Sequence, residues 1–134
     1  MEKEGKIAFV LRSNTPWMNG YYGLPSGKVE KTESYHKCAV REVKEEIGIV
    51  TSEDQLEFLH AMQRLQPEED NSEWIDMFFR VKKWEGKPYN AEPHKHSELA
   101  WLDPKNLPDN VIPYTKFALE NIQKGKKYSE YGFN

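Results

Sequence analysis

The chain is short of several things, and each shortage excludes a class. Cys38 is its one cysteine. No disulfide can form within the chain, which fits a reducing cytoplasm, and a small buried residue is the expected role for Cys38. There is no signal peptide and no long apolar run, so secretion and membrane spanning are not expected. Basic runs stop at Lys126-Lys127 and the net charge is −3. The basic groove that a nucleic-acid polymer requires is therefore missing. Internal repeats and low-complexity tracts are absent. What remains is one cytoplasmic domain over residues 1–134, large enough for a real core but not for two.

The pattern along the chain is mixed α and β. Lys6 to Leu11 (KIAFVL) reads as a strand. Arg12 to Tyr22 is a loop rich in Asn, Pro, Gly and aromatics, and Leu24-Pro25-Ser26-Gly27 is a turn. Leu56 to Leu65 and Trp74 to Trp84 read as two strands joined through the polar segment 66–72 as a hairpin. A polar loop from Glu85 to Ser97 leads to a short strand, Leu99 to Leu102. Asp103-Pro104 is expected to start a helical turn ended by Pro108. Tyr114 to Ile122 reads as an amphipathic helix with Phe117, Ala118 and Ile122 inward. The tail from 124 to 134 is expected to be only partly ordered.

Gly and Pro are also missing from Ser34 to Ile47, so this segment predicts a helix. Thr32 or Ser34 can cap its start, and Gly48 suits its end. At about 100° per residue, Ala39, Val40, Val43 and Ile47 share one arc, and Glu42, Glu45 and Glu46 share the next. Two carboxylates ~6 Å apart repel by about 3 kcal/mol at an effective dielectric of 20. On an open surface water, or lysines such as Lys37 and Lys44, can absorb that repulsion. In a cleft the remedy is a divalent cation, and hard carboxylate oxygens select Mg²⁺ or Mn²⁺.

The spacing around this helix is specific. Residues 27–49 contain Gly27, Glu33 and the run Arg41-Glu42-Val43-Lys44-Glu45-Glu46-Ile47-Gly48-Ile49. At roughly one in fifteen per fixed position, a chance match at a given start is about one in 10^8. The segment resembles the Nudix box, G-x5-E-x7-R-E-U-x-E-E-x-G-U with U aliphatic, at every specified position. The element order is similar to the Nudix fold, an α+β arrangement with a mixed β-sheet sandwiched between α-helices. One departure is that family members carry a strand and turn before the element that starts here at Lys6. Only Met1 to Gly5 can supply them, and an uncovered edge invites association, so a homodimer contact there is one expectation.

The resemblance implies metal-dependent hydrolysis of a pyrophosphate linkage in a nucleoside diphosphate derivative. Metal ions neutralise phosphate oxygens and acidify the attacking water. By the same resemblance Glu42, Glu45 and Glu46 are the metal ligands. The Ser26 backbone carbonyl joins them, although Ser stands where most members have Gly. Gly27, Glu33 and Arg41 tie the preceding loop to the helix and orient the site. Glu92 is the leading general base, with Glu98 as a rival and Glu45 or Glu46 as alternatives. Arg12 corresponds to an arginine that contacts phosphate in mutator-type nucleoside triphosphate hydrolases. For the base, one of Phe78 and Phe79 is expected to face the cleft, Asn110 to read a purine edge, and Trp17, Tyr21 and Tyr22 to stack or to pack their loop. His94 and His96 are expected to be solvated, not a zinc site.

The expected substrate is a (deoxy)nucleoside triphosphate, with oxidised purine nucleotides included, cut to monophosphate and pyrophosphate. The alternatives are hydrolysis of ADP-ribose or another nucleotide sugar, to which Pro67 is a faint pointer, and a Nudix-fold module that binds nucleotide without cleaving it.

Overall fold

The computed structural model describes residues 1–66 and 70–133. Its strands form two sheets. In the first, β2 (Lys6–Arg12) is central. It pairs antiparallel with β6 (His96–Leu102) on one side, and with β1 (Glu2–Lys3) and β3 (Tyr22–Gly23) on the other. The second sheet has the order β5-β4-β7, with β4 (Leu56–Gln66) antiparallel to β5 (Ser72–Val81) and parallel to β7 (Tyr128–Tyr131). The expected hairpin is thus β4 and β5. Pro67, the faint pointer to ADP-ribose, lies outside the described residues. No helix is long and apolar enough to cross a membrane among the described residues.

Helix α1 (Tyr35–Ile47) is fixed at both ends by its sequence. The Ser34 hydroxyl accepts from the Lys37 N–H at 3.1 Å, leaving Thr32 outside the cap. Gly48 closes the helix at φ 70°, where its N–H donates to the Lys44 carbonyl. A Cβ at Gly48 would also meet the Tyr89 ring at 2.1 Å, so glycine is required twice over.

The two helices bury opposite faces of β2, as alternation along a strand dictates. Val10 packs with Val43, Ile47 and Ile49, and Ala39 and Val40 lie against that cluster. Its neighbour Phe9 packs with Val111 and with Leu119 and Ile122 of the second helix. Ile47 and Ile49 are fully buried, each worth roughly 1.5–3 kcal/mol by area removed from water. Helix α2 (Pro113–Gln123) buries Thr115, Ala118, Leu119 and Asn121. Phe117, expected inward, is half-buried against Tyr131 of β7, with ring centroids 5.3 Å apart.

Three further expectations change. The segment after Asp103 is a turn closed by the Asp103 carboxylate on the Lys105 N–H, not a helical turn. The edge expected to lie open at the start of β2 is covered by β1 over two residues, and Met1 packs on the α1 core. The tail adds strand β7 instead of lying partly ordered. The reason is His60, which is fully buried. Its Nδ1 lies 2.7 Å from the Lys126 carbonyl and its Nε2 2.7 Å from the Ser129 hydroxyl. Ser129→Ala should therefore leave a buried ring nitrogen unpaired and cost about 1–3 kcal/mol in urea unfolding. A loss under 0.5 kcal/mol would show that His60 does not hold the tail.

Candidate active site

A cleft of about 660 Å³ opens beside α1. Glu42 and Glu46 line it, while Glu45, with a side chain 49% exposed, does not. Glu46 is buried, and the Ser26 N–H donates to its Oε2 at 2.7 Å. The preceding loop approaches the helix as closely as chemistry allows. A Cβ at Gly27 would sit 2.1 Å from the Glu42 carboxyl group, so a larger residue would push that side chain aside. Cys38 is buried beneath this loop, its Sγ 3.7 Å from the Gly27 carbonyl. Burial pushes its thiol up to about 11, so it is inert.

Arg41 organises the acidic residues. Its Nε and Nη2 grip both oxygens of Glu33 at 2.8 and 2.9 Å, and Nη2 also donates to the Lys28 carbonyl. Its Nη1 reaches Glu42 at 2.6 Å and Glu45 at 3.2 Å. The Arg41 hydrogen bonds hold the Glu33 carboxyl down at about 2. Glu42 and Glu46 behave oppositely. Burial raises Glu42 despite Arg41 beside it. Burial lifts Glu46 to about 8, against the Ser26 N–H and helped by the charges of Glu42 and Glu92.

Glu92, on the loop before β6, is outside the cleft lining, and its charge acts on Glu42 and Glu46. Its carbonyl accepts the N–H groups of Lys95 and His96, and the Ala91 N–H donates to the Glu46 carbonyl. The Asn90 side chain ties the turn further, donating to the His96 carbonyl and accepting from the Glu92 N–H. Its rival Glu98 is exposed and accepts from the Tyr22 hydroxyl at 2.8 Å, outside the cleft lining.

Arg12 lines the cleft, clamped by donation to the Trp17 carbonyl at 3.0 Å and to the Thr15 hydroxyl at 3.3 Å. Trp17 stacks at 5.9 Å on Tyr114. Phe78 and Phe79 both line the cleft, but Phe79 also packs on the α1 core and Phe78 on His60. Asn110, expected at a purine edge, is outside the cleft lining. Its Nδ2 donates to the Gly20 carbonyl at 3.0 Å and braces the aromatic loop.

Two features escaped the sequence reading. His96 is 3% exposed, whereas His94 is exposed as expected. Strand β6 begins at His96, and pairing with Arg12 turns its ring into the cleft wall. The other feature is Arg64, also buried, on the cleft wall between Trp74 and Tyr114. It forms an ion pair with Asp76 at 2.7 Å and a hydrogen bond with Gln66. A signal was there, since Arg64 follows His60 and Met62 in the period-two run of inward positions.

The family model for the NUDIX domain matches residues 1–122. The chain belongs to the Nudix family. It is 29% identical to the ADP-ribose pyrophosphatase of Methanocaldococcus jannaschii over 92% of this chain and 69% of that protein. It is 33% identical to the 8-oxo-dGTP diphosphatase of Buchnera aphidicola, over 68% of each. A MutT NUDIX hydrolase from Burkholderia pseudomallei superposes with a TM-score of 0.79 at 27% identity, covering 90% of both chains. The protein is therefore a Nudix hydrolase, acting on a pyrophosphate linkage in nucleotide derivatives.

Nudix hydrolases generally require a divalent cation, and the donor chemistry here fits one. Glu42 and Glu46 are close, partly desolvated oxygen donors whose ionised forms disfavour each other. Among the described residues no three acidic or imidazole groups yet converge on one point. Arg41 holds Glu42 and Glu45 and so competes with a cation for them.

The raised Glu46 carboxyl makes a pH prediction with a definite sign. The folded state binds this proton more tightly than the unfolded state, whose value is near 4.5. Its contribution to stability is present below pH 4.5 and is lost as pH rises towards about 8. In EDTA, the stability of Glu46→Gln relative to the parent should therefore increase over that window. A constant difference between the two unfolding curves would contradict the assignment.

Proposed function

We propose that this Nudix hydrolase cuts nucleoside triphosphates, oxidised purine nucleotides among them, to monophosphate and pyrophosphate with Mg²⁺. One observation carries the reading. The same cleft is lined by the Glu42 and Glu46 carboxylates, the Arg12 guanidinium, and an aromatic wall that includes Trp74, Phe78 and Tyr114. Its volume is of the size that takes a nucleotide. A terminal phosphate calls for a fixed cation such as Arg12, where a ribose would not. The likeness to an 8-oxo-dGTP diphosphatase supports this choice.

Glu42, Glu45, Glu46 and the Ser26 carbonyl would hold the cation. When bound, it offsets phosphate charge and acidifies the attacking water. Gly27, Glu33 and Arg41 fix the loop on α1 so that these donors keep their places. By its resemblance to the loop glutamate of mutator-type members, Glu92 would take the proton of the attacking water. Arg12 grips the phosphates in a fixed orientation. Phe78 and Trp74 flank the base, and Asn110 supports the loop that closes on it. We infer a cytoplasmic setting from the single buried cysteine. ADP-ribose is the second reading, favoured by the likeness to the M. jannaschii enzyme.

A nucleotide panel with Mg²⁺, read by ³¹P NMR, tests the proposal. A triphosphate should give monophosphate and pyrophosphate with higher kcat/KM than ADP-ribose; the reverse order would favour the second reading. Binding without turnover would mark a sensor. Glu46→Gln should lower kcat by about 10^3 or more while the fold survives, and Glu92→Gln by about 10^2. Arg12→Ala should raise KM for triphosphates about tenfold. Rates like the parent's in any of these variants would remove that residue from its role.

A further inference from the structure

His96 Nδ1 is the one buried side-chain nitrogen or oxygen without a hydrogen-bond partner among the described residues. Such an atom is costly unless a partner arrives from outside the chain. The residue lines the cleft at the start of β6, where its N–H donates to the Glu92 carbonyl and its C=O accepts from the Asn90 amide. Its register partner across the first sheet is Arg12, beside an irregularity that follows Leu11. No carboxylate pairs with Arg12 among the described residues. Its Nε and Nη2 are spent on the Trp17 carbonyl and the Thr15 hydroxyl, which aim the guanidinium without neutralising it. The nearest acid on the His96 turn, Glu92, has Lys95 Nζ 3.7 Å from its carboxylate.

An unneutralised guanidinium and an unpartnered imidazole nitrogen thus share one wall, on β2 and β6, while the acidic donors come from α1. Among the described residues, no carboxylate of β2 or β6 lines the cleft there. Accepting oxygens would satisfy both groups at once, with the imidazole hydrogen on Nδ1 as donor. We propose that His96 and Arg12 form a subsite for the departing pyrophosphate, in which His96 Nδ1–H donates to a phosphate oxygen. This rests on the triphosphate reading of the cleft and assigns the end of the substrate that His96 meets. It makes His96 a substrate-contact residue and explains why so buried a ring leaves a nitrogen unmatched.

The test uses the full chain with ¹⁵N-labelled histidine and arginine, and Mg²⁺. Inorganic pyrophosphate should move the His96 Nδ1 resonance by several ppm, and a nucleoside monophosphate should not. In steady state, His96→Phe should raise both the triphosphate KM and the pyrophosphate inhibition constant about tenfold, with kcat within threefold. His96→Gln, which keeps a donor, should recover most of the loss. If saturating pyrophosphate shifts Arg12 Nε but leaves the His96 ring nitrogens unmoved, the subsite role of His96 is wrong and the triphosphate reading stands. If neither pyrophosphate nor triphosphate binds, the triphosphate reading fails and takes the subsite with it. Should His96→Phe not fold, the spectra of the parent protein decide alone.

Discussion

A buried carboxylate is what the rest of this molecule is arranged around. Glu46 lies on α1 beside the arc of the core residues Val43 and Ile47 and is about as hidden as Val43. An ionised acid in that position is unfavourable unless positive charge comes to it. Among the described residues the Ser26 N–H donates to it, and the Lys95 charge favours its ionisation less than that dipole does. The chain meanwhile adds Glu42 and Glu92 close by, which makes matters worse. Such an arrangement is a cost to folding that a site for a cation explains.

The local details serve that arrangement. Ser34 and Gly48 set where α1 begins and ends, and so which residues face the cleft. Gly27 lets the backbone lie against Glu42 with nothing between them. Arg41 is the counterweight: it ties Glu33 and Lys28 to the helix and holds Glu42 and Glu45 in the absence of a cation. Acids line the cleft from α1, as Glu42 and Glu46, and from β5, as Glu73 and Asp76. Arg12 and His96 sit on the first sheet, and the buried Arg64 lies between aromatic rings on the second.

How much of this was legible depended on the range of the contact. The α1 caps, the two-faced pattern of that helix and the β4–β5 hairpin were readable because each is decided by residues a few positions apart. The acidic run and Gly27 were readable because their spacing is fixed by one turn and one helix. His96 was read as a solvated loop residue because its burial depends on pairing with Arg12, far away in sequence. The β7 strand was hidden for a similar reason: a polar tail carries no strand signal until His60 supplies partners for it. Asn110 has the chemistry to read a base edge, but the Gly20 carbonyl claimed its amide first. Residue type shows what a side chain can do, and only the fold shows what already occupies it.

The most direct test is a calorimetric titration of the nucleotide-free protein with Mg²⁺ at pH 7, repeated in buffers of different ionisation enthalpy. With Glu46 at about 8, the account predicts binding that releases close to one proton per protein, and a release that disappears in Glu46→Gln. Mg²⁺ binding that releases no proton, or the same release from the parent and Glu46→Gln, would contradict it.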